Sequence, residues 1–127
     1  MDKKKVLIVD DATIMRLLIK KILNKLGIIH IIEAETAYDA IGMYKKFHPD
    51  FVTMDITMPM KNKLKDGIEA VRQIKEYDEN AKIIMITSHG EQEKVIEAVK
   101  AGAKNYILKP LKEDKVKKVI EKLFKEN

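Results

Sequence analysis

A regular alternation of short apolar runs with longer amphipathic stretches constrains the fold of this chain more than any other feature. Five apolar runs, many of their residues β-branched, occur at Val6–Val9, Ile28–Ala34, Phe51–Met54, Ile83–Ile86 and Tyr106–Leu108. After each run, apolar residues recur every three or four positions, the spacing of a helix with one buried face. Strands that alternate with helices form a parallel sheet, because each helix returns the chain to the same starting edge. The sequence therefore predicts an α/β fold with a five-stranded parallel sheet.

The order of the strands is restricted because crossover connections between parallel strands are right-handed. One order that satisfies this rule is 2-1-3-4-5, the doubly wound flavodoxin-like arrangement, with helices on both faces and a ligand crevice between the first and third strands. The five predicted helices cover Ala12–Leu26, Ala37–Phe47, Gly67–Tyr77, Glu91–Ala101 and Lys112–Lys125.

In each of these helices the spacing of apolar residues predicts which face is buried. The stripe expected in the first helix contains Ile14, Leu18, Ile22 and Leu26, with Met15 and Leu17 beside it. In the fourth helix we expect Val95 and Val99 to point inward. These predictions follow from helical periodicity alone, which places residues three or four apart on one face.

Length and cysteine content limit the classes of protein to which the chain can belong. Its 127 residues suit a single domain, and we expect residues 1–127 to form one domain without an attached output domain. Because the chain has no cysteine, disulfides, zinc–thiolate sites and thiol nucleophiles are excluded. The first apolar run is too short for a signal peptide or a membrane span, which predicts a cytoplasmic protein without membrane contact.

The basic charge balance does not by itself indicate a nucleic-acid partner. The formal net charge is +5, but lysines alternate with glutamates along the predicted helices and there is no tryptophan. The few aromatic residues are not interleaved with basic ones, as a base-stacking surface requires. We therefore expect a solvated lysine-rich surface and no nucleic-acid binding.

Polar side chains gather at the predicted carboxyl ends of four strands. They are Asp10, Asp11, Asp55, Thr87, Ser88 and Lys109. In an open α/β sheet the carboxyl ends of the strands line the crevice where ligands bind. Asp55, considered alone, is either a cap or loop residue, or a nucleophile or metal ligand. The convergence of three carboxylates, hydroxyls and an ammonium group on one rim favours a chemical role.

Three carboxylates this close together require either a compensating cation or raised pKa values. Two of them about 5 Å apart repel by roughly 3 kcal/mol at an effective dielectric constant of about 20. Lys109 supplies only one positive charge, whereas Mg²⁺ prefers carboxylate and water oxygens. The sequence therefore predicts a Mg²⁺ site at Asp10, Asp11 and Asp55. A metal, a free carboxylate, a lysine and a hydroxyl together are typical of phosphoryl transfer, in which an aspartate can be the nucleophile.

These residues resemble the motifs of the receiver domain of two-component response regulators, over essentially the whole chain. The matching motifs are Asp10-Asp11, Asp55 followed by Met58-Pro59, Thr87, Tyr106 and Lys109-Pro110. The stretches 52–59 and 95–103 resemble the stand-alone chemotaxis members more than the receivers of transcription factors. The resemblance implies a signalling protein that catalyses only its own phosphorylation and dephosphorylation, and is otherwise not an enzyme.

The resemblance also implies a role for each site residue. Asp55 is the expected phosphoacceptor, and Mg²⁺ is expected to bind Asp11, Asp55 and the backbone carbonyl of Thr57, with Asp10 acting mostly through water. Lys109 is expected to pair with the phosphoryl group. Thr87 and Tyr106 are the expected switch, in which the hydroxyl moves to the phosphate and the ring turns inward. The Lys109–Pro110 peptide bond is expected to be cis.

The implied partners are a chemotaxis histidine kinase, a phosphatase, and a component of a flagellar or archaellar motor switch or its adaptor, with the chain itself a monomer. The alternative is a single-domain receiver that signals to a target outside motility. One departure from the family is an apparent insertion at 61–65, which lengthens the loop before Gly67. Thr57 and His89 stand where family members differ in dephosphorylation rate.

Two enzyme classes fit less well. A flavodoxin needs a loop rich in hydroxyl groups and glycine after the first strand to hold the flavin phosphate, where this chain has Asp10 and Asp11. A phosphatase of the haloacid dehalogenase type needs a second aspartate two residues after its nucleophile, where this chain has Thr57.

Overall fold

The computed structural model describes residues 3–58 and 66–125 and contains five strands and five helices in strict alternation within them. The strands are β1 (Lys5–Val9), β2 (His30–Ala34), β3 (Phe51–Asp55), β4 (Ile83–Thr87) and β5 (Asn105–Leu108). The helices are α1 (Thr13–Lys25), α2 (Ala37–Phe47), α3 (Gly67–Tyr77), α4 (Gln92–Ala101) and α5 (Glu113–Lys125). The insertion at 61–65 and Pro59 lie outside the described residues.

All paired strands are parallel and follow the order β2-β1-β3-β4-β5. This confirms the flavodoxin-like prediction. The first connection, through α1, leads to β2 on one side of β1, whereas the second, through α2, leads to β3 on its other side. The order therefore reverses between β1 and β3, and a crevice opens there at the carboxyl ends of the strands.

Alternate residues of the strands enter two separate hydrophobic clusters, one on each face of the sheet. Leu7 and Val9 of β1 pack in the cluster beneath α2, α3 and α4, whereas Val6 and Ile8 pack beneath α1 and α5. All five residues of β3 and of β4 are buried, as expected for central strands that are covered on both faces. None of the described helices combines the length and apolar composition that a bilayer-spanning segment needs.

The predicted buried stripe of α1 is wrong in its first half. The side chains of Ile14, Leu17 and Leu18 are 81%, 60% and 39% exposed. The buried face instead contains Arg16, Ile19, Ile22 and Leu23. Helix α1 has apolar residues on so many positions that its spacing fits two stripes offset by one residue, and the contacts of Arg16 described below favour the second.

A similar offset occurs in α4. Val99 is 49% exposed, whereas the neighbouring Ala98 is fully buried. Val95 is partly buried against the cluster beneath α2, α3 and α4. Adjacent side chains of a helix point about 100° apart, so the rotation that turns Ala98 inward leaves Val99 at the solvent side. The inward position predicted for Val95 is thus confirmed only in part, and the inward position predicted for Val99 is wrong.

Candidate functional site

The carboxylates of Asp10, Asp11 and Asp55 meet in the crevice between β1 and β3. Val9 pairs with Met54 in the parallel register, so the residues that follow them, Asp10 and Asp55, are neighbours across the two strands. One oxygen of each of the three carboxylates lies within 4.8 Å of the others. Asp10 and Asp55 are buried, and Asp11 is exposed.

Burial and mutual repulsion perturb the two buried acids. Burial, followed by the charge of Asp10, raises the pKa of Asp55 to about 6, although Lys109 opposes the shift. Burial also raises the pKa of Asp10, against the lowering effect of the Ala12 N–H, which donates to Asp10 Oδ1 at 2.9 Å. A cation bound beside these carboxylates would therefore stabilise their ionised forms in the folded protein.

Lys109 supplies a positive charge beside this cluster. Its Nζ donates to Asp55 Oδ1 at 3.4 Å and lies 3.9 Å from Asp10 Oδ2. The backbone N–H of Lys109 donates to the carbonyl oxygen of Thr87 at 2.7 Å, which fixes the end of β5 against the end of β4. The Lys109–Pro110 peptide bond is cis, which confirms that prediction.

The orphaned oxygen of Asp10 makes the site suitable for a divalent ion. Asp10 Oδ2 is buried and accepts no hydrogen bond from the residues that the structure describes. A buried carboxylate oxygen without a donor is costly unless a cation or water binds it. Oxygen ligands from Asp10, Asp11 and Asp55 match the preference of Mg²⁺ for hard ligands. The residues present thus fit this metal.

The start of α3 is held directly against the chain that leaves β3. The N–H of Gly67 donates to the carbonyl oxygen of Ile56 at 2.9 Å, and a Cβ at position 67 would lie 2.2 Å from the backbone oxygen of Asp55. Only glycine permits this approach. Asp66 then caps α3 by accepting hydrogen bonds from the N–H groups of Ile68 and Glu69.

Thr87 is buried at the carboxyl end of β4, one strand away from Asp55. Its hydroxyl is shared between the carbonyl oxygen of Ser88 at 3.4 Å and the carboxylate of Glu91 at 3.3 Å. The predicted switch partner, Tyr106, has a half-exposed ring. Both residues line an open groove of about 370 Å³ whose other walls come from α4 and β5.

Residues 6–121 match the family model of the response regulator receiver domain. The chain belongs to the response regulator receiver family. It is 47% identical over 122 residues to the chemotaxis protein CheY of Thermotoga maritima, covering 96% of this chain and 98% of that protein. It is 50% identical over 113 residues to the chemotaxis protein CheY of Halobacterium salinarum, covering 89% of this chain and 90% of that protein.

A solved structure shares the architecture of this receiver domain. It is the CheX–CheY–BeF3–Mg²⁺ complex from Borrelia burgdorferi, with a TM-score of 0.87 and 36% sequence identity, covering 95% of this chain and 89% of that chain. Together these comparisons place the receiver domain among chemotaxis-type response regulators.

The structure brings most of the predicted site residues of the receiver domain into one place. The three aspartates and Lys109 form the cluster, and Thr87 lies beside it. Thr57 is exposed, and its hydroxyl donates to Glu91 at 2.8 Å, while the metal-binding role of its backbone carbonyl stays a prediction. His89 is an exposed loop residue.

Two residues of the site were missed from the sequence. Arg16 is buried, and its guanidinium donates to the backbone oxygen of Asp10 at 2.7 Å and to Glu33 at 3.0 Å, so it ties the loop after β1 to β2. One arginine in an otherwise apolar turn of α1 was the signal for it. Glu91 gave no such signal, because its contacts with Thr57 and Thr87 arise only when two loops meet.

Proposed function

We propose that this protein is a phosphorylation-activated chemotaxis response regulator in which Asp55 accepts a phosphoryl group from a chemotaxis histidine kinase in the cytoplasm. The observation that carries the proposal is the buried Asp55 carboxylate, with Lys109 Nζ at 3.4 Å and the carboxylates of Asp10 and Asp11 within 4.8 Å, in a receiver fold. Outside this self-modification we propose no enzymatic activity.

The reaction is a transfer between two nucleophiles. A carboxylate oxygen of Asp55 attacks phosphorus, the P–N bond of the phosphohistidine breaks, and the imidazole leaves with its electron pair and takes up a proton. Bound Mg²⁺ would neutralise charge on the phosphoryl oxygens, and Asp10, Asp11, Asp55 and the carbonyl of Thr57 would hold it. Lys109 is placed to pair with the same oxygens once its partner Asp55 is modified.

The raised pKa of Asp55 has a direct bearing on this reaction. Only the ionised carboxylate is a nucleophile, and with a pKa of about 6 it is largely ionised at neutral pH. Lys109 and a bound cation both favour the ionised form. The crevice thus combines burial, which excludes water from the acyl phosphate, with positive charge that keeps the attacking carboxylate of Asp55 ionised.

The output surface is proposed to consist of α4, β5 and α5. Tyr106 and Leu108 of β5 are partly exposed there, together with Ile96 of α4. A second groove of about 430 Å³ between β5 and α5 is lined by Lys115 and Lys118, which suits an acidic partner segment. Phosphorylation replaces the single negative charge of the Asp55 carboxylate with the nearly two negative charges of an acyl phosphate, and biases Thr87 and Tyr106 toward the arrangement that this partner binds.

The phosphorylation step is tested by intact mass after incubation with acetyl phosphate. We expect one added phosphoryl group that requires Mg²⁺ and that is absent from Asp55→Asn. The same mass in the Asp55→Asn protein, or an adduct that forms equally well in EDTA, would contradict the proposal. If turnover is too fast for an adduct to accumulate, Mg²⁺-dependent binding of beryllofluoride replaces the mass readout.

The target is tested by capture with the beryllofluoride-bound form, using Asp55→Asn treated in the same way as the control. We propose a component of a flagellar or archaellar motor switch, or an adaptor in front of it, and binding of the purified component only to the beryllofluoride form would support this. Selective binding of a target outside motility instead would favour the alternative, a single-domain receiver of another pathway.

A further inference from the structure

The carboxylate of Glu91 joins the two loops that flank Asp55. Its Oε2 accepts a hydrogen bond from the hydroxyl of Thr57 at 2.8 Å, in the loop that follows β3. Its Oε1 accepts one from the hydroxyl of Thr87 at 3.3 Å, at the end of β4, and one from the N–H of Ser88 at 2.7 Å, in the loop that follows. One side chain at the start of α4 therefore occupies three donors around the crevice.

These contacts are in direct competition with a phosphoryl group. Thr87 follows Ile86, the residue that pairs with Asp55 in the parallel register, so the Thr87 hydroxyl and the Asp55 carboxylate belong to neighbouring strand ends. A hydroxyl has only one proton to donate. While Thr87 donates to Glu91 or to the carbonyl of Ser88, it cannot donate to an oxygen on Asp55.

The carboxylate is well suited to hold this arrangement. Burial disfavours the ionised form of Glu91, but the hydrogen bonds from Ser88, Thr57 and Thr87 outweigh that effect and lower its pKa. Hydrogen bonds to an ionised acceptor are stronger than those between neutral groups. The negative charge also has the same sign as a phosphoryl group arriving on Asp55.

We propose that Glu91 is a positioning residue that holds Thr87 and Thr57 in the unphosphorylated arrangement and thereby opposes activation of the switch. The inference rests on the proposed function, because it assigns a restraint to the switch that phosphorylation of Asp55 must overcome. When the phosphoryl group forms, Thr87 and Ser88 are released from Glu91, and the link between the two loops is broken.

The test is a titration with beryllofluoride at fixed Mg²⁺, followed by fluorine NMR of the bound complex. Glu91→Ala removes the restraint and is expected to lower the half-saturating beryllofluoride concentration by about three- to tenfold. Glu91→Gln loses the charge but keeps an accepting oxygen, so its value is expected to lie between. Glu93→Ala is the matched control, since Glu93 is an exposed acid in the first turn of the same helix.

A second readout separates positioning from mere support of the fold. In the unmodified Glu91→Ala protein, the methyl resonance of Thr87 is expected to move toward its position in the beryllofluoride-bound wild type, whereas in Glu93→Ala it stays in place. Thr57→Val removes the 2.8 Å hydrogen bond without changing the charge. It is expected to shift binding in the same direction, with no further gain when it is combined with Glu91→Ala.

Beryllofluoride binding by Glu91→Ala that equals or is weaker than wild type, with an unmoved Thr87 resonance, would overturn the inference while leaving the proposed function intact. If circular dichroism shows that Glu91→Ala is unfolded, Glu91→Gln decides by the same criterion. Failure of the wild type itself to bind beryllofluoride with Mg²⁺ would overturn the proposed function and this inference together.

Discussion

At the residue scale, the chemistry of the site centres on a carboxyl group that folding makes harder to ionise. Asp55 has its pKa raised from 3.8 to about 6, first by burial and then by the charge of Asp10. Between these two values the folded protein keeps a proton on Asp55 that the unfolded chain has lost. The metal-free protein therefore loses stability as pH rises through this window, and the loss persists above it.

The Asp55→Asn variant should reveal how much stability the folded protein loses when Asp55 ionises. In EDTA we expect it to unfold at the same urea concentration as wild type near pH 4, and to be more stable by roughly 1–3 kcal/mol above pH 6, because the amide carries no charge to bury. Urea unfolding at several pH values measures the difference. Asp114→Asn, at an exposed acid in α5, is the control and should show no such pH-dependent gain. A difference that stays constant from pH 4 to pH 7 would contradict the assignment.

The individual site residues differ in how far the sequence could predict them. Asp10, Asp55, Thr87 and Lys109 are predictable because each stands at or directly after the carboxyl end of a strand, which fixes its position. The contacts of Glu91 are not, since they depend on the paths of two loops in space. The spacing of apolar residues does not predict the exposure of Tyr106 either, because on an edge strand its ring can point inward or outward.

At the scale of single elements, α1 shows where periodicity fails. Its length and position are predicted closely, because the polar residues before it and Gly27 after it mark its ends. Its buried face is not, because apolar side chains lie on nearly every side of the first three turns. The choice between two offset stripes depends on Arg16, whose guanidinium finds partners in Asp10 and Glu33 when it is buried.

A matched pair of substitutions tests which face of α1 is buried. Ile19→Ala removes a side chain that is 3% exposed and should lower the free energy of unfolding by about 2–4 kcal/mol. Ile14→Ala makes the same change at an 81% exposed position and should alter it by no more than about 0.5 kcal/mol. Denaturant unfolding measures both. Equal losses of unfolding free energy in the two variants would contradict this assignment of the buried face.

The start of α3 is the element whose position depends on a single missing side chain. Gly67 lets the first turn of the helix lie against the backbone oxygen of Asp55. Gly67→Ala should therefore force the backbone apart and destabilise the protein by about 2–3 kcal/mol.

Gly42→Ala, within α2, is the matched control for this substitution. A Cβ at position 42 meets nothing within 4 Å, so alanine should raise stability by roughly 0.5–1 kcal/mol through helix propensity alone. Thermal unfolding should therefore show a lower melting temperature for Gly67→Ala and a higher one for Gly42→Ala than for the wild type. A Gly67→Ala protein as stable as wild type would show that α3 is free to move away from Asp55.

At the scale of the whole molecule, the fold is the part that the sequence predicts best. Buried central strands are apolar throughout, right-handed crossovers leave few orders, and the polar strand ends fall on one rim. What the pattern cannot supply is the rotation of each helix about its own axis. The exposure of Val99 and the burial of Ala98 follow from that rotation.

The rim as a whole is proposed to direct a phosphoryl group to one particular carboxylate, that of Asp55. The most direct test is to treat the protein with acetyl phosphate and Mg²⁺, reduce it with borohydride, and map the modified residue by peptide mass spectrometry. Reduction converts an aspartyl phosphate to homoserine, so we expect homoserine at position 55 and unmodified aspartate at positions 10 and 11. Homoserine at Asp10 or Asp11, or a phosphate found on a serine or threonine instead, would contradict it.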